Sequence, residues 1–83
     1  MNNDIPYDEA TFPISVVKDL TLLSGRQIRY YEEQGLVKPG RNKGNWRIYS
    51  NNDIKKLKEI KRLIDQGLNI AGIKAMLKNR RND

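Results

Sequence analysis

The sequence predicts a mainly α-helical domain with one small β-hairpin. Three observations carry that class. Two short amphipathic stretches meet at Ser24-Gly25, a basic Gly-containing segment lies between the β-prone runs Leu36-Val37-Lys38 and Trp46-Arg47-Ile48-Tyr49, and a longer amphipathic stretch begins at Ser50. Two helices across a tight turn, followed by a basic hairpin, make a winged helix-turn-helix, here with four helices plus the wing. At 83 residues there is room for one domain and a modest core, mostly aliphatic because the chain holds one Trp, one Phe and four Tyr. Scaffolds this small often gain stability by oligomerising or by binding a ligand, so a partner is expected.

Residues 1–13 contain Pro6 and Pro13 and no helical period, and are expected to form an N-terminal extension. Ile5, Tyr7 and Phe12 give that arm large apolar side chains to dock on the domain or on a second subunit in a dimer. The domain is expected over 14–77. Its first helix has Ser15 as cap and Val16, Val17, Leu20 and Leu23 at 3- to 4-residue spacing. Ser24-x-x-Gln27 is a capping box opening the second helix, with Ile28 and Tyr31 on its inner face and Gly35 as the positive-φ stop. The hairpin follows around Pro39, Gly40 and Gly44, with Trp46 expected to pack. A second box, Ser50-x-x-Asp53, opens the longest helix, whose Ile54, Leu57, Ile60, Leu63 and Ile64 form an apolar stripe up to Gly67. Asn69 can cap the last helix, in which Ile70, Ile73 and Leu77 share a face. Residues 78–83 are polar and read as the start of a truncated C-terminal tail.

The chain has no cysteine and no histidine, which removes disulfides, Cys/His zinc sites, thiol redox chemistry and imidazole or thiolate catalysis. No pair of acids sits in an apolar setting, and Glu32-Glu33 looks like a solvated helix face. No enzyme activity, metal or cofactor is therefore expected, and function falls to surface recognition. The net charge is +6, and its distribution says more than its size: between Arg26 and Arg62 eleven basic residues face four acidic ones. Such a field attracts the phosphates of nucleic acid or of an anionic membrane surface, or serves solubility alone. No apolar run approaches the ~18 residues needed to cross a bilayer. Nor does the polar start resemble a signal peptide, so a cytoplasmic location with no membrane partner is expected.

A recognition helix needs apolar residues inward and long or forked donors outward near its N-terminus. With Ile28 and Tyr31 inward, Arg26, Gln27, Arg29 and Tyr30 are left outward. Arg matches guanine O6 and N7 bidentately, Gln pairs with adenine, and Tyr hydroxyls serve phosphates. Each has a plainer alternative. Arg29 can bridge to Glu33, Gln27 can be absorbed by its cap, and Tyr30 can make a core or subunit contact. Lys38, Arg41, Lys43 and Arg47 lie on or beside the hairpin, where they can follow a phosphate backbone. Lys55, Lys56, Lys58, Lys61 and Arg62 read as a general positive face.

Two stretches, Arg26-Gln27-Ile28-Arg29-Tyr30-Tyr31-Glu32-Glu33-Gln34-Gly35-Leu36 and Arg47-Ile48-Tyr49-Ser50 with Asp53-Ile54, resemble the DNA-binding domain of the MerR family. The resemblance runs from Pro13 to about Leu77. Within that family, Gly44-Asn45-Trp46-Arg47 and the run from Ile60 to Lys74 are most similar to the GlnR and TnrA type of nitrogen regulators. The likeness implies a dimer that binds double-stranded DNA at A·T-rich inverted repeats and represses the glutamine synthetase operon and related genes. It also implies control by feedback-inhibited glutamine synthetase acting through a C-terminal tail. Helix two would enter the major groove, the wing with Lys43, Arg47 and Tyr49 would meet the backbone and adjacent minor groove, and the turn at Asn69 would touch phosphates as a second wing. The long C-terminal coiled coil typical of the family and most of the sensing tail are missing from the sequence, and there is no cysteine with which to bind a metal effector. The alternative is a winged-helix protein-interaction module, such as a phage or plasmid accessory factor, or an RNA-binding winged helix.

Overall fold

Proline 13 decides where the first helix begins. Its φ of −73° and ψ of 163° leave it extended as N-cap, and α1 runs from Ile14 to Thr21 without a side-chain cap. Ser15 therefore lies inside the helix and is not the cap expected of it. The computed structural model describes residues 9–81, so Ile5 and Tyr7 of the arm lie outside the described residues. Helix α1 buries Val17 and Thr21, whereas Val16 and Leu20 are 37% and 47% exposed. Thr21 takes the inward place expected of Leu20. Its hydroxyl donates to the Val17 carbonyl at 2.7 Å and accepts the Leu23 N–H at 3.3 Å, so the turn between the helices is tied from inside. Leu22 makes that turn with φ 62°, a left-handed conformation costly for a residue with a β-carbon.

Helix α2 spans Gly25–Glu33 and α3 spans Asn51–Asp65, and both expected capping boxes are present. Each ends on a glycine of positive φ, Gly35 at 77° and Gly67 at 97°. The bonds there are paired. Gly35 N–H reaches Glu32 O and Leu36 N–H reaches Tyr31 O, and the same pattern joins Gly67 to Ile64 and Leu68 to Leu63. These are Schellman closures, which fold the next apolar residue back onto the helix it leaves. Leu36 and Val37 are consequently buried as core coil and do not form the expected strand. Helix α4, Ile70–Arg81, starts from Asn69, whose Oδ1 accepts the Gly72 N–H at 2.8 Å.

The sheet has three strands, β1 (Phe12–Pro13), β2 (Gly40–Arg41) and β3 (Arg47–Tyr49), in the order β1-β3-β2. All pairs are antiparallel, with Phe12 opposite Tyr49, Pro13 opposite Ile48, Gly40 opposite Ile48 and Arg41 opposite Arg47. The end of the arm is thus built into the domain as an edge strand, the place in a sheet where a proline removes no ladder bond. Helix α3 packs against α1, β3 and α4. Ile28, Tyr49, Leu57, Ile60, Ile73 and Val17 form the fully buried centre, where an aliphatic side chain contributes about 1.5–3 kcal/mol relative to exposure.

Candidate nucleic-acid interface

The interface is built outward from α2. At about 100° per residue, Arg26, Arg29, Tyr30 and Glu33 fall in the arc opposite Ile28 and Tyr31. Ile28 and Tyr31 are buried, and Arg26, Gln27, Arg29 and Tyr30 are exposed. Among the described residues no hydrogen bond or ion pair engages the Arg26 or Arg29 guanidinium, and the Arg29–Glu33 bridge is not formed. Gln27 is half committed: its Oε1 accepts the Ser24 N–H at 2.9 Å and its own N–H meets Ser24 Oγ at 3.0 Å, which leaves the amide nitrogen to donate elsewhere. Tyr30 is 43% exposed and leans on buried Tyr31, ring centroids 5.9 Å apart at 59°. Burial raises the Tyr31 phenol above its ordinary 10.0, with Lys61 acting in the opposite sense.

The first turn of α2 is electropositive without compensation. It carries no acid. A β-carbon on Gly25 would stand 3.2 Å from Arg29 Nη1, 3.7 Å from Ile14 Cδ1 and 3.8 Å from Lys18 Cδ, so Arg29 folds back over the helix start beside Lys18. The Gly25 and Arg26 amides precede the first intrahelical bond, from Ile28 N–H to Ser24 O. Cations at a helix N-terminus oppose the helix dipole, and an anion there satisfies amides and side chains together. A phosphate has that chemistry.

The wing stands on the Glu32 flank of α2. Arg47 Nε donates to Glu32 Oε1 at 2.6 Å, with 30% and 26% of the two side chains exposed. The carboxylate holds the guanidinium charged and raises its pKa. Arg47 therefore fastens strand to helix, and its charge is already neutralised. Tyr49, expected at the DNA surface, is fully buried opposite Phe12. It belongs to the core because it shares the inward face of β3 with Arg47, while its pKa is raised mainly by burial. Its hydroxyl is buried and has no hydrogen-bond partner among the described residues. Lys38, Arg41 and Lys43 are exposed, and no acid occurs from Gln34 to Asn52.

At the tip, Asn45 N–H closes a turn onto Asn42 O at 2.9 Å and Asn45 adopts φ 65°. This is a three-residue loop of the type that ends in a left-handed bulge. Asn42 Oδ1 accepts from the Gly44 and Trp46 amides at 2.9 and 3.0 Å, and Arg41 Nη1 donates to Asn45 O at 3.0 Å. Trp46 does not pack into the domain as expected: it is 72% exposed. Asn69 is exposed but serves α4 as its cap, and Lys74 Nζ reaches Gln34 Oε1 at 3.2 Å, bringing α4 to the end of α2. Three features escaped sequence reasoning: the Glu32 partner of Arg47, the bracing of the tip by Arg41 and Asn42, and Lys18 at the start of α2. The turn formers Asn42, Gly44 and Asn45 were the available signal for the second.

The family model described as MerR HTH family regulatory protein matches residues 12–80. The chain belongs to the MerR family. Among MerR-type relatives, the HTH-type transcriptional regulator GlnR of Bacillus cereus is 63% identical over 71 residues, covering 86% of this chain and 55% of that protein. TnrA of Bacillus subtilis, also named an HTH-type transcriptional regulator, is 41% identical over 66 residues, 80% of this chain and 60% of TnrA. Heavy metal-dependent transcription regulator 1 of Rhizobium meliloti is 39% identical over 56 residues, 66% of this chain and 38% of that protein. The chain spans about half the length of the GlnR relatives it matches. These relatives are named as transcription regulators. The family match includes β1 and ends within α4, so Phe12 and Pro13 belong to the shared unit. No helix among the described residues is long and apolar enough to cross a membrane.

Proposed function

We propose that this chain is the DNA-binding domain of a sequence-specific transcription regulator, a repressor of nitrogen metabolism acting on the glutamine synthetase operon. The observation that carries it is the outward arc of α2. Arg26, Arg29 and Tyr30 stand exposed there, the arginines without partners among the described residues, beside a helix N-terminus with no acid in its first turn and an acid-free wing. In this reading Arg26, Arg29 and Tyr30, with the free amide nitrogen of Gln27, read bases and phosphates in the major groove. Lys43 takes a phosphate from the wing, Arg47 holds the wing in place, and Asn69 sets the α4 start near a further phosphate. Tyr49 supports the sheet from within.

The likeness to GlnR and TnrA supports three further proposals. The protein binds A·T-rich inverted repeats as a homodimer, works in the cytoplasm, and answers to glutamine synthetase through a C-terminal tail. The test is enrichment of bound duplexes from random-sequence DNA, followed by anisotropy titration at two salt concentrations. Recovery of an inverted repeat, with affinity falling steeply with salt, is expected because phosphate contacts release counterions. Enrichment of no motif, or binding to duplex RNA as tight as to DNA, would overturn the assignment.

A further inference from the structure

Trp46 is the largest side chain at the wing tip, and it is 72% exposed. Both of its backbone polar groups are bonded to Asn42: the Trp46 N–H donates to Oδ1 at 3.0 Å and its carbonyl accepts the Asn42 N–H at 3.1 Å. A β-carbon on Gly44 would stand 3.0 Å from Trp46 Cδ1 and 3.3 Å from Nε1, so the five-membered edge of the indole lies against the Gly44 backbone. A β-carbon there would require the ring to shift by a few tenths of an ångström. An exposed aromatic surface results, resting on the turn and flanked by Arg41 and Lys43 in a stretch without any acid. Tryptophan suits a boundary that is apolar on one side and wet on the other, and its backbone, already fixed by the Asn42 turn, gives up little freedom on binding.

We propose that Trp46 is a DNA contact: the wing lays the exposed indole against the deoxyribose wall of the groove next to the one entered by α2, while Lys43 takes the adjoining phosphate. The inference rests on the DNA-binding reading above. With one edge resting on Gly44, the ring is placed to lie against a surface, and sugars offer an apolar one along every duplex. The contact is uncharged and blind to sequence. It therefore predicts a signature that no phosphate-binding cation or base-reading residue shares.

Trp46 is the sole tryptophan, so its emission reports on this position alone. The experiment titrates the whole 83-residue chain with two fluorescein-labelled duplexes, one enriched from a random pool and one of random sequence. Anisotropy of the label reports binding, and acrylamide quenching of Trp46 reports its burial. Each duplex should shield Trp46 with the midpoint seen by anisotropy. Trp46→Ala should weaken both duplexes by about ten-fold, as expected for losing a large buried apolar contact, and leave the salt slope unchanged because no counterion is involved. Trp46→Phe should keep most of the affinity. Binding by anisotropy with Trp46 still open to acrylamide, or Trp46→Ala binding like the parent, overturns the inference and leaves the DNA reading intact. Shielding that grows with protein concentration in the absence of DNA also overturns it, in favour of a contact between copies. No anisotropy change with either duplex would sink the DNA reading itself.

Discussion

Arg47 was expected on the DNA as a wing cation, and its bond to Glu32 turns that expectation into a sharper one. The perturbation is a cycle of Glu32→Gln, Arg47→Gln and the double variant. A hydrogen bond to a charged group contributes about 1.5–3 kcal/mol net, and partial exposure with solvent screening lowers an ion pair towards 1 kcal/mol or less. With one 2.6 Å bond and about a quarter to a third of each side chain exposed, the coupling should fall near 1–2 kcal/mol. Urea unfolding of the four proteins measures it. For DNA, a guanidinium already neutralised by Glu32 releases no counterion. Arg47→Gln should therefore weaken binding to every duplex without changing the slope of log affinity against log salt, whereas Lys43→Gln should reduce that slope by about 0.9. The double variant should be no worse than Arg47→Gln alone. A coupling near zero, or a slope loss for Arg47→Gln equal to that of Lys43→Gln, refutes the positioning role and returns Arg47 to the phosphates.

Four further outcomes can be checked on the same protein. Arg26→Ala should cost about 1–3 kcal/mol per half-site on the enriched duplex and much less on random DNA, measured by anisotropy; equal losses on both would remove it as a base reader. Tyr49→Phe deletes a buried hydroxyl without a partner, so it should leave DNA binding unchanged and leave stability equal or raised by about 1 kcal/mol in urea melts. Burial holds the Tyr31 and Tyr49 phenols protonated above 10.0. Their contribution to stability is full below pH 10 and is lost as pH rises through the higher folded values, and Tyr49→Phe should blunt that alkaline loss in thermal melts across the range. Leu22→Asn places a residue that tolerates the left-handed region at φ 62° and removes an exposed apolar side chain, so thermal melting should show a gain of about 0.5–1 kcal/mol. A loss would mean that Leu22 has a packing partner.

What could be read from the chain was whatever is decided within one helical turn. Ser24 with Gln27, Ser50 with Asp53, and the glycine stops at Gly35 and Gly67 are local bonds between near neighbours, and all formed as the spacing implied. The long stripe of α3 was equally plain, because four inward residues fix a helix phase better than two. Helix α1 has eight residues, too few to fix its phase by apolar spacing, and a threonine that bonds back to Val17 outcompetes Leu20 for the interior. The β1–β3 pairing joins residues far apart in the chain, and Arg47 meets Glu32 across fifteen positions. Neither leaves a periodic trace. Tyr49 misled for a related reason: its hydroxyl suggests phosphate chemistry, while alternation along a three-residue strand, which turns it inward, becomes visible only once the partner strands are known. Of the outward residues on α2, position followed directly from Ile28 and Tyr31, and so the candidate readers were legible where the wing was not.

Strand β3 has hydrogen-bonding partners on both of its edges, the end of the arm on one and the wing on the other. It is only three residues long, and Thr11 extends the arm side with a bond to Tyr49 O at 3.0 Å. A single three-residue strand thus joins the segment leading into Phe12 to the wing that carries Lys43 and Trp46, and both are registered on the same backbone ladder.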